Sequence, residues 1–183
     1  MSDDFATLLT EALADPEHAD FQRLRESFAS SDFYMPYGRD QEDIEELHMR
    51  IATKRWDKAL ALVEEMLDFD PLGISLRFAY AHVLEGVGED WEATSQRCFA
   101  NGLMRAILGS GDGRTAETAI AVLDMRELRL VLDVLGCRAV RSQLTHGDGR
   151  WLDVVEATDA HGEERTLYFD VDLPQGWLAS LQD

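Results

Sequence analysis

The residues best placed to do chemistry lie in ILGSGDGRTAETAI, residues 107–120, where Gly109, Gly111 and Gly113 stand beside Arg114 and Thr115. Glycines bare the backbone amides, and an adjacent cation could then help hold a phosphate. A P-loop, however, needs Gly, four residues, then Gly-Lys-Ser/Thr between a strand and a helix. Five residues after Gly109 stands Arg114, no lysine follows, and the preceding residues have helical periodicity. A dinucleotide fingerprint fails because it needs a preceding strand. A calcium loop counted from Asp112 puts Arg114 and Ala116 at its third and fifth positions, where oxygen ligands belong. A nest of amides helped by Arg114 remains an anion-site alternative, but Asp112 sits in its middle. The plainer reading is a glycine stop for the preceding helix, with Asp112 and Thr115 as local caps. The same tetrad, GDGR, recurs at residues 147–150, where it reads as a hairpin turn.

No other cluster supplies stronger chemistry. His18, His48, His82, His146 and His161 include no pair at His-x3-His spacing, and Cys98 and Cys137 do not form Cys-x2-Cys. Both cysteines lie in apolar periodic segments, where thiols are usually inert. There is no Gly-x-Ser-x-Gly elbow. Asp112 and Glu117 could pair for acid–base work, yet 36 acids make such pairs frequent by chance. The reading is a chain with no catalytic residues, no metal and no cofactor.

Charge is the strongest global signal. The net charge is −19, with 27 acids against 13 bases in residues 1–136 and 9 against 4 in residues 137–183. Such a field repels nucleic acid and anionic membranes and speeds encounter with cationic partners. Two patches are dense: DQEDIEE, with Asp40, Glu42, Asp43, Glu45 and Glu46, and EGVGEDWE, with Glu89, Asp90, Trp91 and Glu92. Acids in a first helical turn favour the helix dipole, which explains them without a partner. The functional alternative is a negative surface that docks a basic protein, with Trp91 as an anchor. No secretory signal or membrane-spanning run is present, and two cysteines imply no disulfide framework. The expected compartment is the cytoplasm.

These residues must be positioned by helices in front and strands behind. Phe5, Leu8, Leu9, Ala12 and Leu13 fall on one helix face, Pro16 ends it, and Phe21, Leu24 and Phe28 mark a second helix. SSDFYMPYGRD is a loop whose Phe33, Tyr34 and Tyr37 pack it down. Four apolar stripes follow. They are Ile44, Leu47 and Ile51; Ala59, Leu60, Val63, Met66 and Leu67; Leu76, Phe78, Ala79, Val83 and Leu84; and Phe99, Leu103, Ala106 and Ile107. The short breaks TKRWD, DFDPLG and GVGED suit antiparallel hairpins. A shift of about 34 residues brings Ala59 onto Ala93 and His48 onto His82, so this part resembles degenerate tetratricopeptide repeats.

TAIAVL reads equally as a strand or a helix end. DMRELRLVLDVLG is a helix, capped by Asp124 with Glu127 three residues on and closed by Gly136; its stripe is Met125, Leu128, Leu132 and Leu135. CRAVRSQLT, RWLDVVEAT and RTLYFDVD are strands, the last with Leu167, Phe169 and Val171 inward. The fold class is α+β: helical hairpins over residues 1–110, then a helix on a small antiparallel sheet over residues 111–183, the two subdomains sharing one core.

SSDFYMPYGRD, GDGRTAETA and LYFDV together resemble a family of small bacterial proteins carrying a domain of unknown function. The shared elements are Tyr34-Met35-Pro36-Tyr37, the Gly-Asp-Gly followed by Glu-Thr-Ala, and Tyr168-Phe169-Asp170. The resemblance runs from Phe21 to Asp172. It implies a bacterial origin and a helical front joined to a stranded back, and it supplies no reaction or ligand. The expected function is a non-enzymatic acidic module that binds a basic protein, as an immunity protein or antitoxin would. The alternative is an enzyme or small-ligand binder with Asp112, Arg114 and Glu117 at the mouth of its site.

Overall fold

The computed structural model describes residues 2–37 and 41–181. The chain divides into two compact units, Met1–Tyr34 with Gly38–Met104, and Met35–Tyr37 with Arg105–Asp183. The fold is α+β.

The first unit opens with α1 (Ser2–Ala14) and α2 (Phe21–Ala29). Asp20 caps α2 by accepting the Arg23 amide. Phe5, Ala12, Phe21, Leu24 and Phe28 are buried, and Phe5 and Phe28 meet with ring centroids 5.2 Å apart. Tyr34 is buried beside Phe28, whereas Phe33 is half exposed, so only part of the aromatic loop packs down as expected.

The hairpin array follows: α3 (Gln41–Ala52), α4 (Trp56–Phe69), α5 (Ile74–Val87) and α6 (Asp90–Gly109). The first two stripes are seen as expected, with Leu47, Ala59, Val63, Met66 and Leu67 in one cluster with Leu76 and Val83. Ala59 and Ala93, equivalent in the repeat register, are both fully buried. The third stripe differs. Phe78 is 38% exposed, and the neighbouring Arg77 turns inward instead. Its Nε and Nη2 donate to the Pro71 carbonyl at 3.2 and 2.7 Å, Nη1 donates to Gln96 Oε1 at 2.8 Å, and the guanidinium lies 4.5 Å from the Phe99 ring centroid. A planar fork with several donors satisfies those acceptors as no apolar side chain could. Burial pushes its pKa down to about 10, which leaves it charged at neutral pH.

The second unit holds β1 (Ile120–Ala121), α7 (Met125–Val134), β2 (Arg138–Gly147), β3 (Arg150–Thr158), β4 (Glu164–Asp170) and α8 (Asp172–Ser180). The strand order is β1-β4-β3-β2. β2, β3 and β4 form an antiparallel meander, but β1 pairs parallel to β4, with Ile120 opposite Phe169. The sheet is therefore mixed where an antiparallel one was expected. β1 and β4 are separated by α7 and a whole hairpin, and only such a long connection lets two strands run the same way. Leu167, Phe169 and Val171 all point inward, as their alternation predicts.

The capping expected for α7 is present. Asp124 accepts the Arg126 and Glu127 amides at 2.7 and 2.9 Å, Glu127 accepts the Leu123 amide at 2.7 Å, and Gly136 takes φ +64° just past the end. Its buried face is Glu127, Leu128, Val131 and Leu132; Leu135 is exposed because the helix ends before it.

Candidate functional site

The glycine loop runs from the end of α6 to β1. Gly113 takes φ +67°, donates its amide to the Thr118 carbonyl at 2.8 Å, and accepts the Tyr168 amide at 2.9 Å. A Cβ on Gly111 would lie 2.4 Å from the Thr118 carbonyl oxygen. The Asp112 carboxylate accepts from the Arg114 amide and the Thr118 hydroxyl, and these bonds, the hydroxyl first, hold its pKa below the ordinary carboxylate value. Thus Gly113's amide, which an incoming anion would have to engage, is already bonded within the loop, and Oδ1 of Asp112 accepts from both the Arg114 amide and the Thr118 hydroxyl.

A hollow of about 390 Å³ adjoins this loop, lined by Asp112, Arg114, Leu135, Cys137, Arg165 and neighbours. Asp112 and Arg114 therefore share one site, and Glu117 is not among its walls. Arg165 is held by two hydrogen bonds to Asp159, at 3.0 and 2.8 Å. Both cysteines are free, Cys137 buried and Cys98 half-buried. Among the described residues no group of three His, Cys, Asp or Glu side chains is placed to hold a metal, and no helix is long and apolar enough to cross a membrane.

Of the acidic candidates, Asp40 lies outside the described residues. Glu42 and Asp43 occupy the first turn of α3 and are exposed, as is Glu45, while Glu46 pairs with Arg50 at 2.7 Å. Glu89 precedes α6, and Asp90 and Glu92 stand in its first turn. All four residues of the second patch are exposed, Trp91 at 80%, the highest of the large apolar side chains described.

The structure separates the two patches. Arg50, near the end of α3, donates to the Lys58 carbonyl in the first turn of α4 at 2.8 Å. The end of α5 returns to the same place: the Trp56 ring is so close to Gly86 that a Cβ there would sit 2.4 Å away, and it meets the edge of His82 at 5.6 Å between centroids. α6 starts two residues after α5 ends. The start of α3 therefore lies at the opposite end of the array from the start of α6, about 18 Å away by the rise of a 12-residue helix. They are two surfaces.

Beside the second patch lies a feature that reading TKRWD as a mere break between helices missed. Lys54, Arg55, Trp56, Asp57, Lys58, Gly86 and Val87 line a groove of about 500 Å³. The signal was in the composition: Lys54 and Lys58 are the only lysines in the chain. Nearby, Glu85 receives Arg97 and faces His82 Nδ1 at 3.7 Å, and the Arg97 bond holds its pKa low.

A family model described as Domain of unknown function (DUF4919) matches residues 13–176. No curated protein and no solved structure matches the chain.

Proposed function

We propose that this chain, which belongs to the DUF4919 family, a domain of unknown function, is a non-enzymatic protein-binding module of the reducing cytoplasm. Its exposed carboxylates capture a protein with a basic surface. That protein is a toxin or secreted effector, and the chain neutralises it as an immunity protein or antitoxin, touching neither nucleic acid nor membrane. One observation carries the reading: Trp91, 80% exposed, stands among the exposed Glu89, Asp90 and Glu92. An indole left in water at the start of a helix has no packing role in its own unit. Aromatic anchors ringed by polar groups are the usual energetic centre of a protein interface. The net charge of −19 adds long-range attraction for a cation-rich partner.

Affinity capture from lysate on the immobilised full chain, at low and high salt, tests this. A basic polypeptide should co-purify at low salt, and its association should slow as salt rises. Co-expression should protect cells from its toxicity. Absence of any captured polypeptide, or association indifferent to ionic strength, overturns the reading.

A second reading draws on the hollow beside Asp112 and Arg114, which is large enough for a metabolite. Metabolites or metal ions that raise the melting temperature, and lose that effect in Arg114→Ala, would favour it.

A further inference from the structure

We infer that the end of the first unit where α4 begins, α5 ends and α6 begins is self-complementary, and that two copies of the chain pair through it, Trp91 of each seated in the other's groove. Pairing and the capture of a basic partner would use the same Trp91 patch and so compete for it. Sedimentation of the chain alone reads the first and capture from lysate reads the second, so that either can fail without the other.

Three observations meet at this end. The first is the groove, whose floor is the Trp56 ring lying on Gly86 with Val87 beside it, and whose rim is Lys54, Arg55 and Lys58 with one acid, Asp57, among them. These three cations are exposed, and among the described residues none forms an ion pair. Three cations against the single Asp57 leave the groove net positive in a chain carrying 36 acids. The second is the occupant: an exposed indole flanked by Glu89, Asp90 and Glu92. Its apolar body suits the floor and its three carboxylates suit the three cations. The groove is an open depression of about 500 Å³, with room for an indole to lie against its floor.

The third is placement. Trp91 follows Val87, a wall of the groove, by four residues, so donor and acceptor stand side by side on one end. A patch and a complementary groove on opposite ends would build open chains. Side by side, they let each copy give and receive about a two-fold axis, and the contact closes at two. Glycine at residue 86 becomes intelligible in the same terms, because any side chain there would lift Trp56 and fill the floor.

Salt alone is a poor test. Two bodies of charge −19 repel at long range while the contact pairs attract, and salt screens both. Charge exchange separates them. Sedimentation equilibrium of the full chain across a concentration series should show the mass rising from 20.6 kDa towards twice that value. Lys54→Glu with Lys58→Glu, and separately Asp90→Lys with Glu92→Lys, should each weaken pairing at least tenfold. Mixing those two variants restores opposite charges in both contacts, so the mixture should regain the doubled mass. Trp91→Ala should weaken pairing comparably. Far-ultraviolet circular dichroism checks that each variant is folded, and where a double variant is not, Lys58→Glu and Glu92→Lys alone replace it. A wild-type chain that stays monomeric throughout overturns the inference. So does a dimer indifferent to these changes, or a mixture that fails to pair.

Discussion

The same four residues, Gly-Asp-Gly-Arg, occur at 111–114 and 147–150 and fold in two different ways. In the second copy Asp148 and Gly149 both take positive φ, +51° and +76°, and Gly147 pairs with Arg150 across the β2–β3 hairpin. That is a type I′ turn, whose twist matches the strands it joins. In the first copy only Gly113 has positive φ, Gly111 is pressed against the Thr118 carbonyl, and Asp112 folds back onto Thr118. The arginines diverge too. Arg150 reaches Asp170 at 2.7 Å, whereas Arg114 stays exposed, 3.9 Å from Asp112. The tetrapeptide permits several tight paths, and its flanks choose among them. Ten- and nine-residue strands in register impose a hairpin, while a helix end and a two-residue strand impose a wide loop.

Substitution at matched positions sharpens this contrast. The largest difference is expected between Gly111→Ala and Gly147→Ala. The added methyl at residue 111 meets backbone atoms at 2.4–2.9 Å, so the loop must move, at a cost of about 2–3 kcal/mol. At residue 147 nothing lies within 4 Å, and the change should stay within about 0.5 kcal/mol. Urea denaturation of the two variants measures both. Next, Gly149→Ala should cost about 1–2 kcal/mol from left-handed strain alone. Gly113→Ala should cost more, because its methyl also lies 3.1 Å from Ile120 Cδ1. If Gly113→Ala proved the milder of the two, the first loop would be less tightly specified than its hydrogen bonds indicate.

Smaller effects separate the charged members. Arg150→Met should lose up to about 1 kcal/mol, since its pair with Asp170 is 38% and 22% exposed, and Arg114→Met should lose nothing measurable. Urea midpoints compare them. The last test is pH. Asp112 has its pKa depressed in the folded chain, so its stabilising contribution is complete above the ordinary carboxylate value and fades as pH falls through the folded value. Wild type and Asp112→Asn should therefore differ in melting temperature at neutral pH and converge in acid. No shift of the midpoint between them at any pH would mean that the hydroxyl of Thr118 does not hold that carboxylate.

Several features were legible along the chain. Stripes at three-and-four spacing marked the faces of α4 and α6, alternation marked β4, and Asp124, Glu127 and Gly136 marked both ends of α7. Each is a local rule, acting within one or two turns of chain. What was missed depends on partners distant in sequence. α8 escaped notice because DLPQGWLAS has a proline in its first turn and a glycine inside it, and it buries little beyond Pro174. Arg77 could not be read as inward-facing, since it needs both the Pro71 carbonyl, turned back by the bend before α5, and Gln96, which only the return of α6 brings to it. Among the candidate residues, the acids and Trp91 stand out by type alone. The cationic groove beside Trp91 does not, because α4 and α5 contribute its two walls.

The amino-acid order on its own determined the helical front, the stranded back, the hairpin at Asp148 and the strongly negative charge, because propensity, turn chemistry and charge need no distant contact. Only the tertiary structure decided that the two acidic patches stand at opposite ends of the array, that β1 lies parallel to β4, and that Lys54, Arg55 and Lys58 gather beside Trp91. Those outcomes follow from the direction in which each helix or strand returns, which is set by the packing of whole elements against one another.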